Sequence, residues 1–121
     1  MDYMLLFYEP KTDFDVRKDE AASQAYWAGW MAYVGAIQGA GIMKSGEGLQ
    51  DAATATTLRM AGGKRHVQDG PFADTKEQLG GFFVIDVPDL DTALVWASRA
   101  PCASTGGVEV RPVLPPHSMP A

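Results

Sequence analysis

The chain has 121 residues, room for one domain whose core is large enough to need neither a disulfide nor a structural metal. Fifteen acids against ten Lys and Arg give a net charge of −5, and no stretch is basic enough to neutralise a phosphate backbone, so nucleic-acid binding is not expected. Cys102 is the lone cysteine, which excludes an intramolecular disulfide, and with no basic, cleavable leader the expected compartment is the cytoplasm.

The first element is an apolar run, Tyr3 to Tyr8, closed by Glu9-Pro10, with the length and boundary of a buried strand. The segment from Ala21 to Met43 is uncharged for 23 residues. Its Ser, Gln and four glycines, and the lack of flanking basic clusters, argue against a membrane span. Trp27, Trp30, Met31, Val34 and Ile37 recur there at helical spacing, with small residues opposite, so a helix is predicted from about Lys18–Ala21 to Gly39 or Gly41. Gly46-Glu47-Gly48 reads as a loop. Thr54 to Met60, Gly62-Gly63 and Arg65 to Gln68 read as a hairpin. After the turn Asp69-Gly70-Pro71-Phe72 and a polar connection to Gln78, the run Phe82 to Val87 is a second buried strand. Asp89 is the expected N-cap of a second helix with Leu90, Ala93, Leu94 and Ala97 on one face and Pro101 as its stop, and Val108 to Val113 is a last strand.

That order is two βαβ-like halves, which predicts an α+β, ferredoxin-like βαββαβ domain over residues 1–113, with an extra hairpin and a loosely held tail over 114–121. Both central strands are apolar on both faces, yet only two helices are predicted, and in this fold they cover one face. The bare face predicts a homodimer of the dimeric α+β barrel kind.

Asp69-Gly70-Pro71-Phe72-Ala73-Asp74-Thr75-Lys76-Glu77-Gln78-Leu79-Gly80-Gly81-Phe82-Phe83 and its continuation to Asp91 resemble the signature of the DGPF proteins, a branch of the YCII-related family. Tyr3-Met4-Leu5-Leu6, Gly46-Glu47-Gly48-Leu49-Gln50, Thr54-Ala55-Thr56-Thr57 and Val108-Glu109-Val110-Arg111-Pro112 extend the resemblance over nearly the whole chain. It implies a ferredoxin-like dimeric α+β barrel. It also implies kinship with muconolactone isomerase and a chlorinated-hydroquinone dehydrochlorinase, and for DGPF proteins an association with extracytoplasmic-function sigma factors. A His-Asp dyad proposed in some members has no counterpart, because no histidine occurs between Met1 and Arg65, where the helix holds Tyr26, Trp27, Trp30 and Tyr33.

Glu77, in a polar run beside an apolar strand, is the leading acid/base candidate, and Asp69 before Gly-Pro is the second; a capping or turn role is the alternative for each. Arg59 and Lys76 are candidates for positioning an anion, Glu47 for closing the same cleft, and Trp30, with Trp27, for lining an apolar pocket. His66 on the hairpin, His117 in the tail and Cys102 lack the spacing of a metal site or a Cys-His pair. The function expected is binding, and cofactor-free proton transfer on, a small ring compound in a sheet-helix cleft. The alternative is a noncatalytic module acting with a sigma factor.

Overall fold

The computed structural model describes residues 1–116; His117 and the rest of the tail lie outside the described residues. The strands are β1 (Asp2–Pro10), β2 (Met43–Gly48), β3 (Thr56–Ala61), β4 (Lys64–Asp69), β5 (Glu77–Asp86) and β6 (Gly107–Pro112). Helix α1 (Lys11–Val16) follows β1, α2 (Ala22–Gly39) precedes β2, and α3 (Leu90–Ser98) links β5 to β6. Four strands form an antiparallel sheet in the order β2-β5-β1-β6, and β3-β4 form a separate hairpin. This is the expected ferredoxin-like βαββαβ topology, with the hairpin inserted between β2 and β5.

β1 shows why one face of the sheet is the core. Tyr3, Leu5, Phe7 and Glu9 are buried, while Met4, Leu6 and Tyr8 between them are half-buried, the period of two that a pleated strand imposes. Phe83 and Ile85 of β5 join the buried set, and Tyr33 and Ile37 of α2 with Ala93 and Ala97 of α3 close over it. Phe7 is the hub: its ring meets Trp30 at 5.0 Å, Phe83 at 4.8 Å and Tyr33 at 6.1 Å, all edge-on. The Tyr33 hydroxyl donates to the Trp96 carbonyl at 2.8 Å, tying α2 to α3.

Several expectations are corrected. Gly46-Glu47-Gly48 is strand, not loop: it ends β2, where Gly46 lies so close to β5 that a Cβ would stand 2.4 Å from the Phe83 ring. The polar connection ends earlier than expected, since Glu77 and Gln78 already pair with Pro10 and Glu9. A short helix, α1, precedes the long one. The α2 face against the core is Trp30, Tyr33, Val34 and Ile37, whereas Trp27 and Met31 are 45% and 71% exposed. On α3, Leu90 and Leu94 are likewise exposed, and the small Ala93 and Ala97 let the helix approach the sheet closely. Cys102 is fully buried rather than half-buried.

Local chemistry matches expectation at two boundaries. Gly62 and Gly63 turn the hairpin with φ of 58° and 73°, the pair of positive values that a two-residue turn of matching twist requires. Asp89 caps α3, its Oδ1 accepting from the Thr92 backbone N–H at 2.8 Å. Asp89→Ala is expected to lower stability by about 1 kcal/mol, seen as a reduced urea midpoint at unchanged slope.

Candidate functional site

A cavity of about 320 Å³ lies between α2 and the sheet, a volume suited to a small organic ligand. Phe7 and Phe83 form its base on the sheet side, while Trp27, Trp30, Met31 and Val34 form the helix wall. Gly48, Gly80 and Gly81 contribute backbone with no side chain to fill the space. Arg17, in the turn between α1 and α2, provides the one cationic side chain of the lining.

Arg17 is fixed by a buried network. Glu9 is 1% exposed, and Arg17 Nη2 donates to its Oε2 at 2.7 Å. Tyr26 donates to the other carboxylate oxygen, Oε1, and accepts from Arg17 Nε at 3.0 Å. Burial, and then the bond to Glu9, push the Tyr26 phenol above its ordinary range, so it stays a proton donor. Arg17 Nη1 reaches the Leu49 carbonyl at 2.6 Å and Nη2 the Gly80 carbonyl at 3.4 Å. Of the five guanidinium N–H groups four are thus engaged, and one on Nη1 has no protein partner among the described residues. Glycine at position 80 is required by this network, since a Cβ there would stand 2.1 Å from Glu9 Oε2 and 3.0 Å from Arg17 Nη2.

The structure brings two of the six sequence-derived candidates to the cavity. Trp30 lines it as expected; its indole N–H is buried without a partner among the described residues. Glu47 lines it with main chain, because its side chain follows Phe82, its cross-strand partner, onto the opposite face of the sheet. The other four stand apart from the cavity. Glu77 begins β5 opposite Pro10, and Asp69 ends β4 opposite Thr56. Arg59 lies over the Phe72 ring at 4.4 Å, and Lys76 is exposed in the connection before β5. A larger, open groove of about 660 Å³ between the hairpin and the end of the sheet is lined by Tyr8, Phe72 and neighbours, again without these four side chains.

Sequence reading missed Glu9 and Arg17, and it placed Tyr26 only beside the aromatic helix face, without its bonds to these two. Glu9 carried a signal: the alternation Tyr3, Leu5, Phe7 puts the next odd position on the core face, and a carboxylate there needs a cation. No spacing rule connects it to Arg17 or Tyr26. His66 is exposed on the hairpin, and burial pushes the Cys102 thiol up to about 12, so it is not a nucleophile near neutrality. Among the described residues no three His, Cys, Asp or Glu side chains cluster as metal ligands would, and no helix is long and apolar enough to cross a membrane.

The topology and this cavity define a small α+β protein of ferredoxin-like fold with a ligand-sized space between helix and sheet. The chain belongs to the YCII-related family, whose domain matches residues 1–116, in agreement with the resemblance carried by its Asp-Gly-Pro-Phe segment. An uncharacterized protein of Rhizobium meliloti (strain 1021) is 54% identical over 61 residues, 49% of this chain and 49% of that protein, so the likeness spans about half the length of this relative. Among solved structures, the chain is similar to 5-chloro-2-hydroxyhydroquinone dehydrochlorinase (TftG) from Burkholderia phenoliruptrix AC1100 in complex with 2,5-dihydroxybenzoquinone. The TM-score is 0.50 with 16% identity over 94% of each chain, a likeness of fold.

Proposed function

We propose that this protein is a homodimer that binds a small planar ring compound bearing an oxygen acceptor in the cavity between α2 and the sheet. The observation that carries the ligand reading is an aromatic-walled cavity of about 320 Å³ whose one cation, Arg17, is neutralised by Glu9 and keeps a single N–H unengaged among the described residues. Such a site favours a neutral or weakly acidic ring with one oxygen toward Arg17, because the ring stacks on indole and phenyl surfaces while the oxygen accepts one hydrogen bond. Among the described residues the one acid of the lining is Glu47, whose pairing with Phe82 turns its side chain to the other face of the sheet. Binding is therefore the reading supported here, and Glu77 and Asp69 have no substrate atom within this cavity to serve. The sigma-factor partner implied by the DGPF resemblance finds no support in the comparisons.

The dimer rests on the other face of the sheet. Cross-strand pairing sets Glu47, Phe82, Leu6 and Glu109 in one row and Ser45, Val84, Met4 and Arg111 in the next. The two central strands therefore present apolar side chains and the two edge strands polar ones, the arrangement of an apolar interface core with a polar rim. Leu58, Met60, Val67 and Phe72, 54%, 64%, 54% and 72% exposed, extend the apolar surface onto the hairpin and the turn that follows it.

Calorimetric titration with phenol and catechol tests the ligand. Binding is expected in the wild type and absent from Val34→Phe, whose larger side chain fills the cavity. Equal heats in both, or none in the wild type, would refute it. Native mass spectrometry tests the assembly: a dimer is expected, dissociated by Leu6→Glu, and a monomeric wild type at micromolar concentration excludes it.

A further inference from the structure

A second groove, of about 490 Å³, adjoins the cavity, and the two spaces share Arg17, Trp27 and Gly48 in their linings. Their linings differ in kind. The first is aromatic and aliphatic, whereas the second adds the charged Lys18 and Asp51, with Arg17 lying over the Phe14 ring at 4.6 Å.

Lys18 Nζ donates to Asp51 Oδ2 at 2.8 Å, with the lysine side chain 66% and the aspartate 25% exposed. The carboxylate is turned inward: its Oδ1 accepts from the Ala53 backbone N–H at 3.1 Å, capping the short turn Ala52–Thr54. Neighbouring acids are also engaged, Asp15 with Lys11 at 3.3 Å and Asp19 with the backbone N–H groups of Ala21 and Ala22 at 3.0 and 2.8 Å. An ammonium carries three N–H groups, and Asp51 takes one. Two on Lys18 and one on Arg17 are left without a protein acceptor among the described residues, on two cations that both line the second groove, of which Arg17 also lines the first. A ligand complementary to those donors brings an anionic group with more than one acceptor oxygen.

We infer that the two spaces form one bipartite site for a ring compound bearing a short carboxylate side chain, the ring against the wall formed by Trp27, Trp30, Met31 and Phe83 and the carboxylate on Lys18 beyond Arg17. The inference rests on the ring-binding reading above and narrows it to aryl-alkyl acids. Lys18 acts here as a specificity residue: it selects the charged group and leaves ring affinity unchanged.

The test compares 3-phenylpropionate with its uncharged counterpart 3-phenylpropanol by isothermal titration calorimetry at low salt. The acid is expected to bind about fivefold tighter, the scale of a partly exposed ion pair. Lys18→Met should erase that preference while leaving the alcohol's affinity unchanged. Asp51→Asn, which keeps an oxygen for Ala53 but frees Lys18, should enlarge it. A merely structural role for the Lys18–Asp51 pair would move both ligands together and both variants in the same direction. If the alcohol binds as tightly as the acid, or Lys18→Met leaves their ratio intact, or neither compound binds while phenol does, the bipartite site is refuted while ring binding stands; if phenol fails as well, both readings fall.

Discussion

Replacing Arg17 with methionine is expected to destabilise the protein by about 3–5 kcal/mol at neutral pH, the cost of leaving a buried carboxylate without its cation. Glu9 is 1% exposed and hydrogen-bonded by Arg17 and Tyr26, so the variant retains the phenol bond but loses the charge that offsets desolvation. Urea denaturation of the variant and the wild type measures the loss. The double substitution Glu9→Gln with Arg17→Met should recover much of it, because no carboxylate is then left in the core without its cation. A single variant as stable as the wild type would show that the pair does not hold the core together.

Phe7→Ala is expected to cost about 3–5 kcal/mol, the usual price of deleting a fully buried aromatic ring. Phe7 packs edge-on against Trp30, Tyr33 and Phe83 and is 2% exposed, so the sheet and α2 lose their shared contact together. Because the same ring forms part of the cavity, the substitution also enlarges the space next to Trp30. Thermal unfolding should show the loss, and the affinity for naphthol relative to phenol should rise in the variant. Phe7→Leu, which refills most of the volume, should lie between the two. If Phe7→Ala melts within a few degrees of the wild type, the aromatic cluster is not the centre of the core.

How much of the molecule was legible in the chain depends on whether the signal was local. The runs Tyr3–Tyr8 and Phe82–Val87, the Gly62-Gly63 turn and the Asp89 cap each sit within a few residues, and each was placed correctly. β2 was read as loop because glycines flank Glu47. Gly46 is there for the close approach of Phe83, a residue 37 positions away, and not for flexibility. The α2 periodicity was visible but its rotation was not. Trp27 and Met31 seemed as fit for the core as Tyr33, and the choice fell to the helix rotation that puts Tyr33 on the Trp96 carbonyl. In the site, Trp30 was legible as an aromatic on a helical stripe. The network that fixes Arg17 was not, because Glu9, Arg17, Tyr26 and Gly80 come from four different segments.

The two central strands, the hairpin turn, the α3 cap and the family were thus determined by the sequence alone, since they follow from short-range periodicity, turn chemistry and a contiguous motif. The rotation of each helix, the role of the paired glycines Gly80 and Gly81, and the union of a buried carboxylate with its arginine beside an open cavity were decided only by the tertiary structure. The reason is physical: the cost of burying a charge, or of adding a methyl group, depends on which atoms of distant elements occupy the same few ångströms, and no local pattern records that.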